Sequence, residues 1–182
     1  MGPHRKAPLL SQAQEEAARP LEIDVEELKG RAGQSLGVSP WRVITQEQVD
    51  GFAEATGDHQ WIHTDPERAK SGPFGATIAH GFMTLSLFPA LLDEVVSVGG
   101  AGPVVNYGTN RVRFPAPVPV GARVRGRIDL AAAEEVAGGV QAEFRVTVEV
   151  EDSPKPACVA EILFRYYRAP PGEGAAGAER KP

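Results

Sequence analysis

Ten consecutive residues, Gly57-Asp58-His59-Gln60-Trp61-Ile62-His63-Thr64-Asp65-Pro66, hold three carboxylate or amide side chains, two imidazoles and an indole. Asp58 and His63 are the pair that could do chemistry. On a continuous helix a spacing of five sets two side chains about 140° apart. They face a common point only if the chain turns between them, and Gly57 followed by a loop permits that turn. An Asp–His pair around one water is an acid/base device: imidazole exchanges protons near neutral pH, and a neighbouring carboxylate orients it. Asp65 before Pro66 reads as a helix N-cap. His59 reads as solvent-facing, and Trp61 as a packing residue beside the pair.

A second cluster, Gly75-Ala76-Thr77-Ile78-Ala79-His80-Gly81-Phe82-Met83, leads into an apolar run. Gly81 at a helix start lets a ligand approach the backbone closely. The free N–H groups of a first turn favour developing negative charge, which an enzyme acting on a thioester carbonyl needs. Packing alone also explains a glycine there. A third feature is electrostatic. From Val95 to Ile128 there is no Asp or Glu, yet Arg111, Arg113, Arg123, Arg125 and Arg127 fall in this stretch. On strands, 111/113 share one face and 123/125/127 another. The stretch reads either as a solvated sheet face or as a phosphate-binding rim, since guanidinium matches phosphate oxygens.

The elements that must position these groups are partly written in the periodicity. Thr45 and Gln48 make a capping-box pattern. Val49, Phe52, Ala53 and Thr56 follow on one face, so a helix is predicted over 46–56, stopped by Gly57. A short helix starts at Asp65-Pro66. Phe82–Val96 (FMTLSLFPALLDEVV) is apolar nearly all round, which predicts a helix enclosed by protein, with Pro89 as a kink or local break. The second half changes period. Residues 122–130, 140–150 and 158–166 alternate apolar with polar side chains, as strands with one wet face do. Turns are expected at Gly138-Gly139 and at Ser153-Pro154, and a further strand at about 103–113. Cys158 sits in the apolar register and reads as a buried, inert thiol. Helices first and then an antiparallel meander imply an α+β fold, its sheet curling around the buried helix.

The chain has 182 residues, 42% of them apolar and 24% charged, an ordinary globular balance. The folded unit is expected at 21–168. Residues 1–20 and 169–182 lack the apolar content to offset their ordering entropy and are expected as mobile tails. One cysteine excludes an intramolecular disulfide framework and a multi-cysteine zinc site. A net charge of −5 argues against a nucleic-acid binder. No apolar stretch is long enough to span a membrane, and no secretory signal pattern is present. The cytoplasm is the expected compartment. No metal-ligand spacing, phosphate loop or dinucleotide fingerprint occurs.

The run from Phe52 through Gly57-Asp58-His59-Gln60-Trp61-Ile62-His63 to Pro66, followed by Phe74-Gly75-Ala76-Thr77-Ile78-Ala79-His80-Gly81-Phe82-Met83, resembles the MaoC-like (R)-specific enoyl-CoA hydratases. GDHQWIH is similar to their nodulation-protein-N-like branch. The similarity extends over roughly 25–167, through NYGTNRVRFPAPVPVGARVR. It implies a hot-dog fold, with a long central helix wrapped by a curved antiparallel sheet and usually dimeric. It also implies reversible syn addition of water to trans-2-enoyl-CoA, giving (3R)-3-hydroxyacyl-CoA, with no cofactor or metal beyond the CoA of the substrate. By the family pattern Asp58 and His63 hold and activate the water, and the N–H of Gly81 donates to the thioester oxygen. Gln60 stands with Trp61 where many hydratases of the family have Asn-Pro, and offers a hydrogen bond of different reach. Pro89 stands near a position where some members have serine. Arg111 and Arg113 are the candidate CoA phosphate contacts. A hot-dog acyl-CoA thioesterase and a non-catalytic acyl-CoA-binding module share the fold and the ligand, and are the alternatives.

Overall fold

The structure, a computed structural model, describes residues 19–169. The tails expected at 1–20 and 169–182 lie outside these residues, apart from 19, 20 and 169. Named elements run from Leu21 to Arg168. Strand β1 (Leu21–Asp24) leads into a 3-10 helix (Val25–Arg31), then β2 (Gln34–Val38) and the two-residue β3 (Arg42–Val43). Helices α1 (Gln46–Thr56), α2 (Trp61–Thr64), α3 (Pro66–Ala69), α4 (Gly81–Ser86) and α5 (Phe88–Asp93) follow. Strands β4 (Val96–Gly99), β5 (Ala101–Arg113), β6 (Arg123–Val136), β7 (Gly139–Val150) and β8 (Cys158–Arg168) complete the order. The main sheet is antiparallel, ordered β2-β6-β7-β8-β5, with β3 also on β6. Outside it, β1 pairs in parallel with β4.

The alternation in the sequence becomes the two faces of this sheet. Val124, Ile128 and Leu130 of β6, Val140 through Val150 at every second position of β7, and Cys158, Ala160, Ile162, Phe164 and Tyr166 of β8 are all buried. Helices α4 and α5 cover that face. The Phe88 ring of α5 lies 5.7 Å from Phe144 and 5.2 Å from Phe164, in edge and tilted contacts that add to plain burial. Burying a side chain of this size is worth about 1.5–3 kcal/mol. Cys158 is buried as expected, and its desolvation pushes the thiol up to about 11. This is the α+β, helix-on-antiparallel-sheet arrangement that the sequence implies.

Several elements differ from expectation. The apolar run carries the local break that Pro89 predicts, but two residues ahead of the proline, so that it forms two short helices. It breaks at Leu87 into α4 and α5. Pro89 has no N–H and its ring crowds the preceding turn, so Leu87 N–H turns to the Thr84 carbonyl at 3.4 Å. The run also ends earlier than Val96, which opens β4. Nor is it enclosed on every side: Phe82 is 69% exposed. Strand β6 continues to Val136, beyond a register shift between Leu130 and Ala132 that ends the clean alternation. Gly139 belongs to β7 rather than to the turn.

Candidate active site

Helix α1 ends at the bend that makes the site. Thr45 Oγ accepts from Gln48 N–H while the Gln48 side chain accepts from Thr45 N–H. At the other end Gly57, at φ +76°, caps the helix by donating to the Ala53 carbonyl at 2.8 Å. That left-handed step redirects the chain, and α2 then brings His63 back. Gln60 N–H lies 3.4 Å from a carboxylate oxygen of Asp58, and the Gln60 carbonyl accepts from His63 N–H at 2.9 Å. The result is convergence: a carboxylate oxygen of Asp58 and ring nitrogens of His63 and His80 lie within 4.8 Å of one another. Asp58 is exposed and His63 is buried, so the pair spans the boundary between solvent and core.

The His63 ring is oriented from behind. Its Nδ1 donates to the Ile78 carbonyl at 2.6 Å, so Nδ1 carries a proton and Nε2 is the ring nitrogen facing away from that bond. Gln46 Nε2 donates to the His63 carbonyl at 2.7 Å, and the Gln46 Oε1 in turn accepts from Thr77. His80 stacks on His63 with centroids 3.7 Å apart and planes 25° apart, and its Nε2 lies 2.9 Å from the Asp58 carbonyl. Imidazole lone pairs lie in the ring plane, so two stacked rings cannot aim theirs at a common ion. The Asp58, His63 and His80 cluster is therefore poorly arranged as a metal site despite its composition.

An apolar cavity of about 300 Å³ opens beside the pair. His63, Gly81, Thr84, Ile78, Phe74 and Phe114 contribute to its wall, with the segment Pro115–Val118. Gly81 meets the ring of Phe114: a Cβ built on it would lie 3.0–3.2 Å from three ring carbons. Thr84 N–H is bonded to the His80 carbonyl, so the N–H groups of Gly81, Phe82 and Met83 belong to the first turn, which has no intrahelical acceptors. The packing reading of Gly81 is seen in the Phe114 contact, and its N–H has no acceptor within the helix. Gln60 is exposed and its side chain is not among the cavity walls. Its observed contribution is the backbone bend.

Arg111 and Arg113 end β5, just before the cavity segment that starts at Phe114. Arg111 sits at φ +49° where the strand register shifts, and meets Glu161 at 3.2 Å. Arg113 donates to the Val112 carbonyl and has no carboxylate partner among the described residues. The other arginines form the solvated face: Arg123 pairs with Glu151, and Arg125 and Arg127 with Glu149. Burial pushes the Glu149 carboxyl up, but hydrogen bonds from Arg125 and Arg127 outweigh it and hold it below the usual range. Trp61 packs beneath Arg68 at 4.4 Å, Asp65 caps α3, and His59 is half-exposed near Glu54. The positioning contacts of Gln46, Thr77 and His80 were not readable from local spacing, because each crosses many residues of chain.

The sequence pattern of the MaoC-like domain matches residues 27–152. The chain belongs to the MaoC-like family. Within it, the nodulation-protein-N-like branch is supported by a Nodulation protein N from Rhizobium leguminosarum bv. viciae, 44% identical over 145 residues, or 78% of this chain and 90% of that protein. A 3-hydroxyacyl-thioester dehydratase Z from Mycobacterium tuberculosis is 59% identical over 143 residues, or 78% of this chain and 95% of that protein. The solved (R)-hydratase from A. caviae involved in PHA biosynthesis superposes with a TM-score of 0.61 at 23% identity, covering 74% of this chain and 96% of that one. It supports the hot-dog fold. This MaoC-like chain is a hydro-lyase of the hydratase/dehydratase type. No helix among its described residues is long and apolar enough to cross a membrane.

Proposed function

We propose that the protein is an (R)-specific enoyl-CoA hydratase, adding water reversibly to trans-2-enoyl-CoA to give (3R)-3-hydroxyacyl-CoA. The observation that carries this reading is the approach of the Asp58 carboxylate to the His63 ring beside an apolar cavity bounded by Gly81. The dehydratase name of the 59%-identical mycobacterial relative supports the reaction class.

Water is a poor nucleophile. His63 Nε2 and Asp58 hold it and take one proton as its oxygen bonds to C3 of the enoyl group. The electron pair of the C2–C3 bond moves toward the thioester, and the oxygen charge is met by the N–H of Gly81. C2 then receives a proton from the same pair, which places both additions on one face. Acid–base help of this kind is worth ~10²–10⁴-fold, and an oriented donor to the oxyanion another ~10²–10³-fold. Gln60 adds a hydrogen bond to substrate at the rim. Arg113, free of a carboxylate partner among the described residues, and Arg111 meet the CoA phosphates. The chemistry requires neither cofactor nor metal. The partner is an acyl-CoA, with no nucleic acid and no membrane, in the cytoplasm. A homodimer is supported by β5, a thirteen-residue edge strand exposing Val105 and Tyr107, since an unpaired edge is a template for a second copy.

The test is a panel of enoyl-CoAs from crotonyl-CoA upward, followed by loss of enoyl absorbance, with chiral analysis of the product. Expected are turnover to the (3R) alcohol and a ~10²–10⁴-fold fall in kcat for Asp58→Asn and for His63→Gln. Inactivity at every chain length, or an Asp58→Asn variant as fast as wild type, overturns the reading. Release of free CoA in a thiol assay assigns a thioesterase instead, and binding without turnover a non-catalytic module.

A further inference from the structure

His80 is a buried polar group to which the reaction just described gives no part. It is 3% exposed. It stands immediately before Gly81, in the N-cap position of α4, yet its side chain makes no cap bond. The ring instead reaches back across 22 positions of chain, and Nε2–H donates to the Asp58 carbonyl at 2.9 Å. The ring also stacks on His63, and Phe52 of α1 lies 5.0 Å away on a tilted plane. Its Nδ1 is buried with no hydrogen-bond partner among the described residues. Burying an unsatisfied acceptor opposes folding, and an apolar ring would fill the same space without that cost.

We infer that His80 is a positioning residue that locks the Asp58 bend, the His63 ring and the Gly81 helix start into one register. The three groups come from separate elements: the exit of α1, α2 and the entrance of α4. One side chain touches the first by hydrogen bond, the second by stacking and the third by covalent adjacency. The donor is what a phenylalanine lacks, and it acts on the backbone of the very residue that carries the carboxylate. A reacting group displaced by about 1 Å can lose ~10²-fold in rate, so a hold on the Asp58 backbone bears directly on kcat. This inference rests on the hydratase reading.

The experiment compares His80→Phe with His80→Gln in the full chain, with wild type and Asp58→Asn alongside, using crotonyl-CoA or whichever enoyl-CoA the wild type hydrates fastest. Phenylalanine keeps a flat ring and loses the donor, whereas a glutamine amide nitrogen reaches about as far as Nε2 and restores it. The expected result is a ~30–100-fold fall in kcat for His80→Phe with KM within about threefold, and recovery to within about fivefold of wild type in His80→Gln. In the Asp58→Asn background, His80→Phe should cost little more, because residues acting as a unit are not additive. Equal activity of His80→Phe and wild type overturns the role. So does an equal loss in both variants with a matching fall in Tm, or full additivity with Asp58→Asn. If His80→Phe fails to fold, His80→Gln decides: a loss of more than tenfold in its kcat also overturns the role. A wild type inactive on every enoyl-CoA removes the hydratase reading and this role with it, whereas an active wild type beside an unaffected His80→Phe removes this role alone.

Discussion

Gly81 is where packing and the proposed chemistry meet in one residue. The Phe114 ring occupies the space where a Cβ would stand, and the same backbone faces the cavity. Gly81→Ala must therefore push an aromatic ring that is itself part of the cavity wall. The expected outcome is a loss of about 1–3 kcal/mol from overpacking and a kcat at least tenfold lower, read by denaturant titration and by initial rates on the same preparation. Unchanged rates would separate this glycine from the reaction. Asp58 and His63 were legible at this scale because a glycine ahead of the pair announces the turn that their spacing needs. His80 was visible as a residue but not as a function: its meaning lies in a bond to Asp58 formed only after folding. The arginines were legible as a cluster, but local sequence could not divide them. Cross-strand glutamates take Arg123, Arg125 and Arg127 into ion pairs on the wet face, and Glu161 meets Arg111 as well, which leaves Arg113 as the one of the five without a carboxylate partner among the described residues.

Among the elements, α1 is the one whose both ends are spelled out in sequence, since capping chemistry is local. Its reciprocal Thr45–Gln48 bonds predict that Thr45→Ala lowers stability by about 0.5–2 kcal/mol, measured as a shift in denaturant midpoint at constant slope. A change smaller than about 0.3 kcal/mol would mean that water or a neighbour replaces the cap. Strands β6, β7 and β8 were legible because one face is wet and the other dry. Strand β2 was not. It is five residues long, bulges between Ser35 and Gly37, and Gly37 sits at φ +141°, so no alternation survives to be read. The β1–β4 pair was hidden for a different reason: each is four residues long and its partner is remote in sequence. The break at Leu87 was anticipated from Pro89, but its position was not. That position depends on which carbonyl the turn before the proline selects.

For the whole molecule, an ionic clamp holds the 3-10 helix to the far end of the sheet. Arg168 of β8 bridges Glu26 and Glu135, and Lys29 also meets Glu135. Hydrogen bonds from Arg168 and then Lys29 hold the Glu135 carboxyl down at about 2, against an ordinary value of 4.5. Because the folded value is depressed, the stabilisation is present above about pH 4.5 and is lost as pH falls toward 2. Wild type should lose stability more steeply than Glu135→Gln across that window, in urea titrations at low ionic strength. The clamp is exposed, so the difference should shrink in high salt. Identical slopes for the two proteins would show that the ion pairs contribute nothing to acid sensitivity.

The parallel β1–β4 pair has a consequence for how the chain reaches this state. Hairpins β6–β7 and β7–β8 join neighbours in sequence, whereas β1 and β4 pair across all the helices that lie between them in the chain. Loop-closure entropy rises with the length of the closed segment, and remote contacts are the slow ones to form. The meander is thus the natural early scaffold of assembly. The β1–β4 pair, like β2–β6, closes a long segment and is expected to form after the hairpins, and the segment that both pairs enclose is the one that carries Asp58, His63, His80 and Gly81.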